Sequence, residues 1–217
     1  FILQTLSTSF NAIWRLKFFK TRIMKTTAII LGILLALFFG LQIYSYVSNG
    51  NIEKYSYTVL KEYDDFEIRN YEAGLFTSVK LDTDSYNEAS GKGFSILGGY
   101  IFGKNEKKEA IAMTSPVSMS LEKETTMLFL VPKAYTKETL PKPDNGDIQF
   151  VEVPAKKMAA ITFGGWANDE KIAKYKSKLI ALLAENQIKH TNNFSVLGYN
   201  PPYEVLIRRN EVIVELE

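Results

Sequence analysis

The 217-residue chain contains no cysteine and a single histidine, His190. The first absence excludes disulfides, thiol nucleophiles, iron–sulfur clusters and cysteine-bound zinc, and the second excludes multi-histidine metal centres. Acidic residues are missing from the first 50 positions, which hold five cations: Arg15, Lys17, Lys20, Arg22 and Lys25. From Thr26 to Ile52 there is no charge of either sign. A basic face is lacking too, since beyond residue 50 the chain carries 21 cations against 24 anions. A nucleic-acid binder needs an excess of cations to neutralise phosphates, so no nucleic-acid partner is expected.

What stands in the uncharged stretch is an apolar run, Ala28 to Val47, rich in Ile, Leu, Phe and Ala. Twenty helical residues rise about 30 Å, enough to cross the hydrocarbon layer. Tyr44 and Tyr46 sit at its far end, where amphipathic rings favour the interface, and the five cations precede it. The positive-inside bias then puts the N-terminus in the cytoplasm and the rest of the chain outside it, periplasmic or on the cell surface. The chain divides into a short basic segment (1–25), a transmembrane anchor or uncleaved signal (26–48) and a folded domain (51–217). The first segment opens on Phe1, and Met24 is a candidate start. A cleaved signal peptide beginning at Met24 has a similar outline, but the run is long for one and no small-x-small site follows it.

Apolar residues make up 46% of the chain and charged residues 23%, so the remaining length can build a core. Alternation with period two predicts strands over Tyr55–Leu60, Phe66–Tyr71, Leu75–Leu81, Met127–Val131, Ile148–Val153, Met158–Phe163, Tyr203–Arg208 and Glu211–Leu216. Two segments have helical spacing instead. One carries Tyr86, Ala89, Gly93, Leu97 and Tyr100, with Asp84 as a cap; the other carries Ile172, Tyr175, Leu179, Leu182 and Leu183, capped by Asn168 or Asp169. The helix starts lie about 85 residues apart, and a hairpin-like pair precedes each. The fold class is α+β, with a duplicated βαββ-like unit forming a curved or barrel-like sheet and a helix on each half.

In that order the residues resemble the SOUL, or haem-binding protein, family. The resemblance rests on Tyr57-Thr58-Val59-Leu60, Phe66-Glu67-Ile68-Arg69-Asn70-Tyr71 and Tyr100-Ile101-Phe102-Gly103-Lys104-Asn105. It continues through Met113-Thr114-Ser115-Pro116-Val117, Phe129-Leu130-Val131-Pro132 and the closing Tyr199-Asn200-Pro201-Pro202 to Val212. It implies a distorted antiparallel barrel like the ligand-binding domains of multidrug regulators, with haem or another tetrapyrrole as bound ligand and no shared catalytic apparatus. Sequestration or transfer of the ligand, not turnover, is the expected role, and other amphipathic molecules are the alternative ligands.

A flat ring with two carboxylates requires an apolar groove and nearby cations. Candidates for the groove are Phe94, Leu97, Tyr100 and Met113 on one side and Tyr203, Val205 and Ile207 on the other, though each suits a core equally well. Lys92, Arg69 and Arg208 are candidates to pair with the propionates. His190 is the sole imidazole, but it stands in a polar stretch that reads as a connection and matches no family position, so no axial ligand and no metal ion is assigned. Thr114 and Ser115 lack a base within reach in the sequence. Their expected role is to satisfy backbone groups where a strand starts, with Pro116 biasing Ser115 to extended geometry. Gly98, Gly99, Gly103, Gly164 and Gly165 lack phosphate-loop spacing and read as turns or close approaches.

Overall fold

The structure, a computed structural model, describes residues 2–49, 52–83, 85–121, 125–201 and 203–217. The chain forms two units, Phe1–Ser48 and Asn49–Glu217. The first lies in one long helix, α1 (Ile2–Asn49), in which Met24–Ser45 is long and apolar enough to cross a bilayer.

The second unit is α+β. Its elements run β1 (Glu53–Lys54), β2 (Tyr57–Glu62), β3 (Glu67–Tyr71), β4 (Gly74–Leu81), α2 (Tyr86–Ile101), β5 (Thr114–Ser115), β6 (Val117–Ser120) and β7 (Thr125–Leu130). They continue with β8 (Gln149–Val153), β9 (Lys156–Gly164), α3 (Asp169–Glu185), β10 (His190–Gly198) and β11 (Arg209–Leu216). Nine strands form one curled antiparallel sheet in the order β2-β3-β9-β11-β10-β6-β7-β4-β8, and β1 pairs with β5 in a separate parallel ladder.

The sheet order makes the duplication visible. About the central β10–β6 pair, β11 mirrors β7, β9 mirrors β4 and β3 mirrors β8, while α2 and α3 occupy matching places in the two halves. The two expected hairpins do not form. β3 leaves β4 and pairs with β9, and β8 leaves β9 and pairs with β4. Each half thus lends its first strand to the other, which covers a row of backbone N–H and C=O groups that either half alone would leave exposed.

Both helices pack on one face of the sheet. Ala89, Leu97, Tyr100 and Ile101 of α2 bury against Val79, Leu81, Met127 and Phe129, and Ile172, Leu179 and Leu183 of α3 bury against Ala159, Ile161, Phe163, Val212 and Val214. Gly93 allows the close approach of α2, since a Cβ there would stand 2.9 Å from Leu81 and Met127 side-chain atoms. Asn168 caps α3 by accepting from the Lys171 amide at 2.8 Å. Asp84 lies outside the described residues, and Ser85 makes the cap of α2. Asp169, in the first turn of α3, reaches across to α2: its Oδ1 accepts from the Tyr86 amide at 2.5 Å and its Oδ2 from the Ser85 hydroxyl at 3.1 Å.

Two local expectations are corrected. Tyr203–Arg208 is a loop, because Pro201 offers no amide and the Arg208 guanidinium takes the Pro201 and Glu204 carbonyls at 2.9 and 2.6 Å. The stretch after His190 is a strand, not a connection; a register shift between His190 and Phe194 interrupts its alternation.

Candidate ligand-binding site

The residues expected to line a groove fall in separate places. Leu97 and Tyr100 are fully buried under α2, and the Tyr100 hydroxyl donates to the Pro141 carbonyl at 2.9 Å. Phe94 packs its ring on Phe129, with centroids 5.5 Å apart, and Met113 lies against the same cluster. Beside Tyr100, Ile111 and Leu140 there remains a cavity of about 10 Å³. That is space for one water, whereas drug-sized ligands need hundreds of Å³. Leu97 and Tyr100 are therefore core and meet no ligand in this arrangement. Lys92 is exposed on the outer side of α2.

The opposite face of the sheet holds a buried polar network. Alternation along β9 and β11 points Met158, Ala160, Glu211 and Ile213 away from the helices, where Tyr71, Tyr55, Tyr57 and Tyr199 join them. At its centre Glu211, with 0% exposure, accepts from both terminal nitrogens of Arg69 at 2.8 and 3.0 Å. It also accepts from the Tyr199 hydroxyl at 2.7 Å, from Arg209 at 2.6 Å and from the Thr162 hydroxyl at 3.2 Å. Arg69, 1% exposed, donates besides to Glu67 at 2.6 Å and to the Tyr71 hydroxyl at 3.0 Å, and it stacks on the Tyr57 ring at 4.3 Å. Burial pushes the Glu211 carboxyl up, but the Arg69 hydrogen bonds and the two guanidinium charges outweigh it and hold it below the usual carboxylate range. Burial, with the Glu211 charge beside it, pushes Tyr71 up to about 12. Arg69 is thus committed to Glu211 and Glu67 and is withdrawn as a partner for propionates. The signal for the network was present as an acid at the inward-facing step of an otherwise apolar strand, Glu211-Val212-Ile213-Val214.

The exposed apolar side chains of the ligand set lie together in the β10–β11 connection. Tyr203 is 66% exposed and Ile207 64%, with Val205 and Leu206 also open to solvent between them. Arg208 follows, its guanidinium 4.0 Å above the ring of Trp166, itself 53% exposed. Burial lowers the Arg208 pKa, and its Nε has no hydrogen-bond partner among the described residues. Trp166 and Leu206 escaped the sequence reading, Trp166 because it stands between β9 and α3 with no periodicity to mark it. The site is a ridge of flat and branched apolar groups beside one cation.

Other candidates carry no ligand chemistry. The His190 ring sits edge-on to Phe194, and its Nδ1 meets the Thr191 carbonyl. The Thr114 hydroxyl donates to the Leu130 carbonyl at 2.7 Å and the Ser115 hydroxyl to the Tyr199 carbonyl at 3.3 Å, both at the start of a strand as expected. Gly103 and Gly165 have positive φ and serve turns. Among the described residues no group of three or more His, Asp or Glu is placed to hold a metal ion.

A family model described as SOUL heme-binding protein matches residues 52–215. The chain belongs to the SOUL family. SOUL relatives include Heme-binding protein 1 of Xenopus laevis, 30% identical over 155 residues, which are 68% of this chain and 81% of that protein. Heme-binding protein 2 of Mus musculus is 29% identical over 156 residues, 68% of this chain and 76% of that protein. Among solved structures, the C-terminal domain of EcmrR superposes with a TM-score of 0.55 at 12% identity, covering 74% of this chain and 98% of that domain. A hydrolase from Listeria innocua gives 0.53 at 9% identity, covering 73% and 94%. At these identities the likeness concerns the SOUL fold alone.

Proposed function

We propose that this chain is a membrane-anchored protein that binds haem or another tetrapyrrole on the ridge formed by Trp166 and the Tyr203–Ile207 loop, holding or handing it on without chemical change. The observation that carries the reading is the exposure of these five apolar side chains beside Arg208, in a SOUL domain whose cavity beside Tyr100 holds no more than a water. A flat macrocycle laid on Trp166 and the loop removes apolar surface from water, and Arg208 offers charge to a propionate. Binding of this kind is hydrophobic and reversible. The apolar span Met24–Ser45 supports the anchor, and the five cations before it support an N-terminus in the cytoplasm with the SOUL domain on the other side.

The test is a haemin titration of the full chain in detergent, followed by the Soret band and by Trp166 emission in a Trp14→Phe background. A saturable shift with one-to-one stoichiometry and quenched Trp166 emission is expected. Ile207→Ser should weaken binding about tenfold, the loss from uncovering part of one aliphatic side chain. An unsaturable response identical in wild type and Ile207→Ser refutes the reading.

A further inference from the structure

We propose that the Trp166 and Tyr203–Ile207 ridge rests in the headgroup–acyl boundary of a phospholipid bilayer, as a second membrane contact besides the span. The inference rests on the anchor reading above and goes beyond it. Seven residues, and so eight Cα–Cα steps, lie between Ser45, the last of the span, and Glu53, the first of β1. Even fully extended, a chain of that length reaches at most about 29 Å, and α1 takes up part of it as helix to Asn49, so the entry point of the domain is held within that distance of the lipid. The ridge springs from the same corner of the domain. Glu53 pairs with Thr114, the Tyr55 amide donates to the Ser115 carbonyl at 2.9 Å, and the Ser115 hydroxyl donates to the carbonyl of Tyr199, where the loop begins.

The ridge also has the chemistry of an interfacial segment. Trp and Tyr rings favour the headgroup level, aliphatic side chains the acyl boundary just below it, and arginine the phosphates above. Trp166, Tyr203, Val205, Leu206 and Ile207 are all exposed, and the Arg208 guanidinium covers the Trp166 ring. Part of the loop's polar backbone is satisfied from within: the Glu204 amide donates to the Pro201 carbonyl at 3.2 Å and the Asn200 side chain to the Ile207 carbonyl at 3.0 Å. Backbone satisfied in this way enters a low-dielectric layer at little cost, while the apolar side chains gain. A tetrapyrrole dissolved in the bilayer then meets the ridge without crossing water.

The test uses the full chain carrying Trp14→Phe in nanodiscs of phosphatidylcholine, with either plain or brominated acyl chains. Trp166 emission should fall in the brominated discs, and Leu206→Glu with Ile207→Glu should restore it with an unchanged far-ultraviolet spectrum, both side chains being exposed. Equal emission in the two kinds of disc overturns the contact while leaving the anchor standing, provided the chain co-elutes with discs. Elution apart from the discs overturns the anchor and the contact together. The haemin titration in detergent reports ligand binding independently of both.

Discussion

Replacing Glu211 with Gln probes the centre of the network on the face away from the helices. The substitution keeps the shape and one carbonyl acceptor but removes the charge that faces Arg69, whose side chain is 1% exposed, and the exposed edge of Arg209. Glu67, 30% exposed, still answers Arg69 through Nε at 2.6 Å, so the guanidinium keeps one ionic partner. Breaking a buried pair by removing one member costs about 3–5 kcal/mol, since the remaining charge stays out of water. The residual Glu67 pair and the Gln carbonyl put Glu211→Gln at the lower end, about 3 kcal/mol. With a urea m-value of about 2 kcal/mol per molar, that lowers the midpoint by about 1.5 M. Equilibrium urea unfolding followed by tyrosine fluorescence and circular dichroism measures it. The double substitution Arg69→Met with Glu211→Leu should regain most of the loss, because apolar groups of similar volume need no partners. A shift below about 0.5 M for Glu211→Gln, or a double variant worse than the single, refutes the assignment of a desolvated charge pair.

Acid should act on the same network. Since Glu211 titrates below its unfolded value, its stabilisation is complete above the unfolded carboxylate pKa, about 4.3, and is lost as pH falls through the lower folded value. At alkaline pH the sign reverses for Tyr71 and Tyr55, each raised from 10.0 to about 12: their contribution is complete below pH 10 and disappears between about 10 and 12, visible as a falling thermal midpoint. Asp169→Ala removes the acceptor for Tyr86 and Ser85 across the two helix starts and should cost about 1 kcal/mol by urea unfolding. His190→Ala should leave the haemin Soret shift unaltered, a result checked by parallel titrations of the two proteins.

Elements with unbroken periodicity were legible in the sequence, and those defined by distant partners were not. The stripes Ala89-Gly93-Leu97-Tyr100 and Ile172-Leu179-Leu183 fixed both helices and the face each buries, because helical spacing is a local property. β10 escaped notice because Thr191, Asn192 and Asn193 sit at a register shift, where the alternation of buried and exposed positions breaks. The exchange of β3 and β8 between halves pairs residues 71 to 93 positions apart in the sequence, and nothing in either strand announces its partner. Arg69 and Glu211, 142 positions apart, illustrate the same limit at the level of side chains. Arg69 as an isolated cation suggests the surface, and only its pairing makes it core. Conversely, Tyr203, Val205 and Ile207 alternate like a strand yet lie exposed in a loop, since alternation records side-chain type and not the hydrogen bonds of the backbone.

The duplication offers its own control for the loop. In the first half the strands of the central hairpin, β6 and β7, are joined by positions 121–124; in the second half the equivalent β10 and β11 are joined by positions 199–208. A four-residue connection closes this geometry, so the sheet does not require the longer one. Asn200, Glu204 and Arg208 make hydrogen bonds within the longer connection, and Arg208 stacks on Trp166 outside it. Replacing 200–207 by a four-residue Gly/Asn-containing turn should therefore leave the sheet standing. Arg208 remains but loses the Pro201 and Glu204 carbonyls that hold it over Trp166, and the loss of that stack, about 0.5–1 kcal/mol at a part-exposed site, sets the expected fall in stability. Haemin binding, in contrast, should disappear. Loss of stability beyond about 3 kcal/mol would mean that the loop holds the β10–β11 hairpin together, and its apolar exposure would then need another explanation than a ligand. Retained haemin binding in a stable shortened protein would move the site to the outer side of α2, around Lys92 and Phe94.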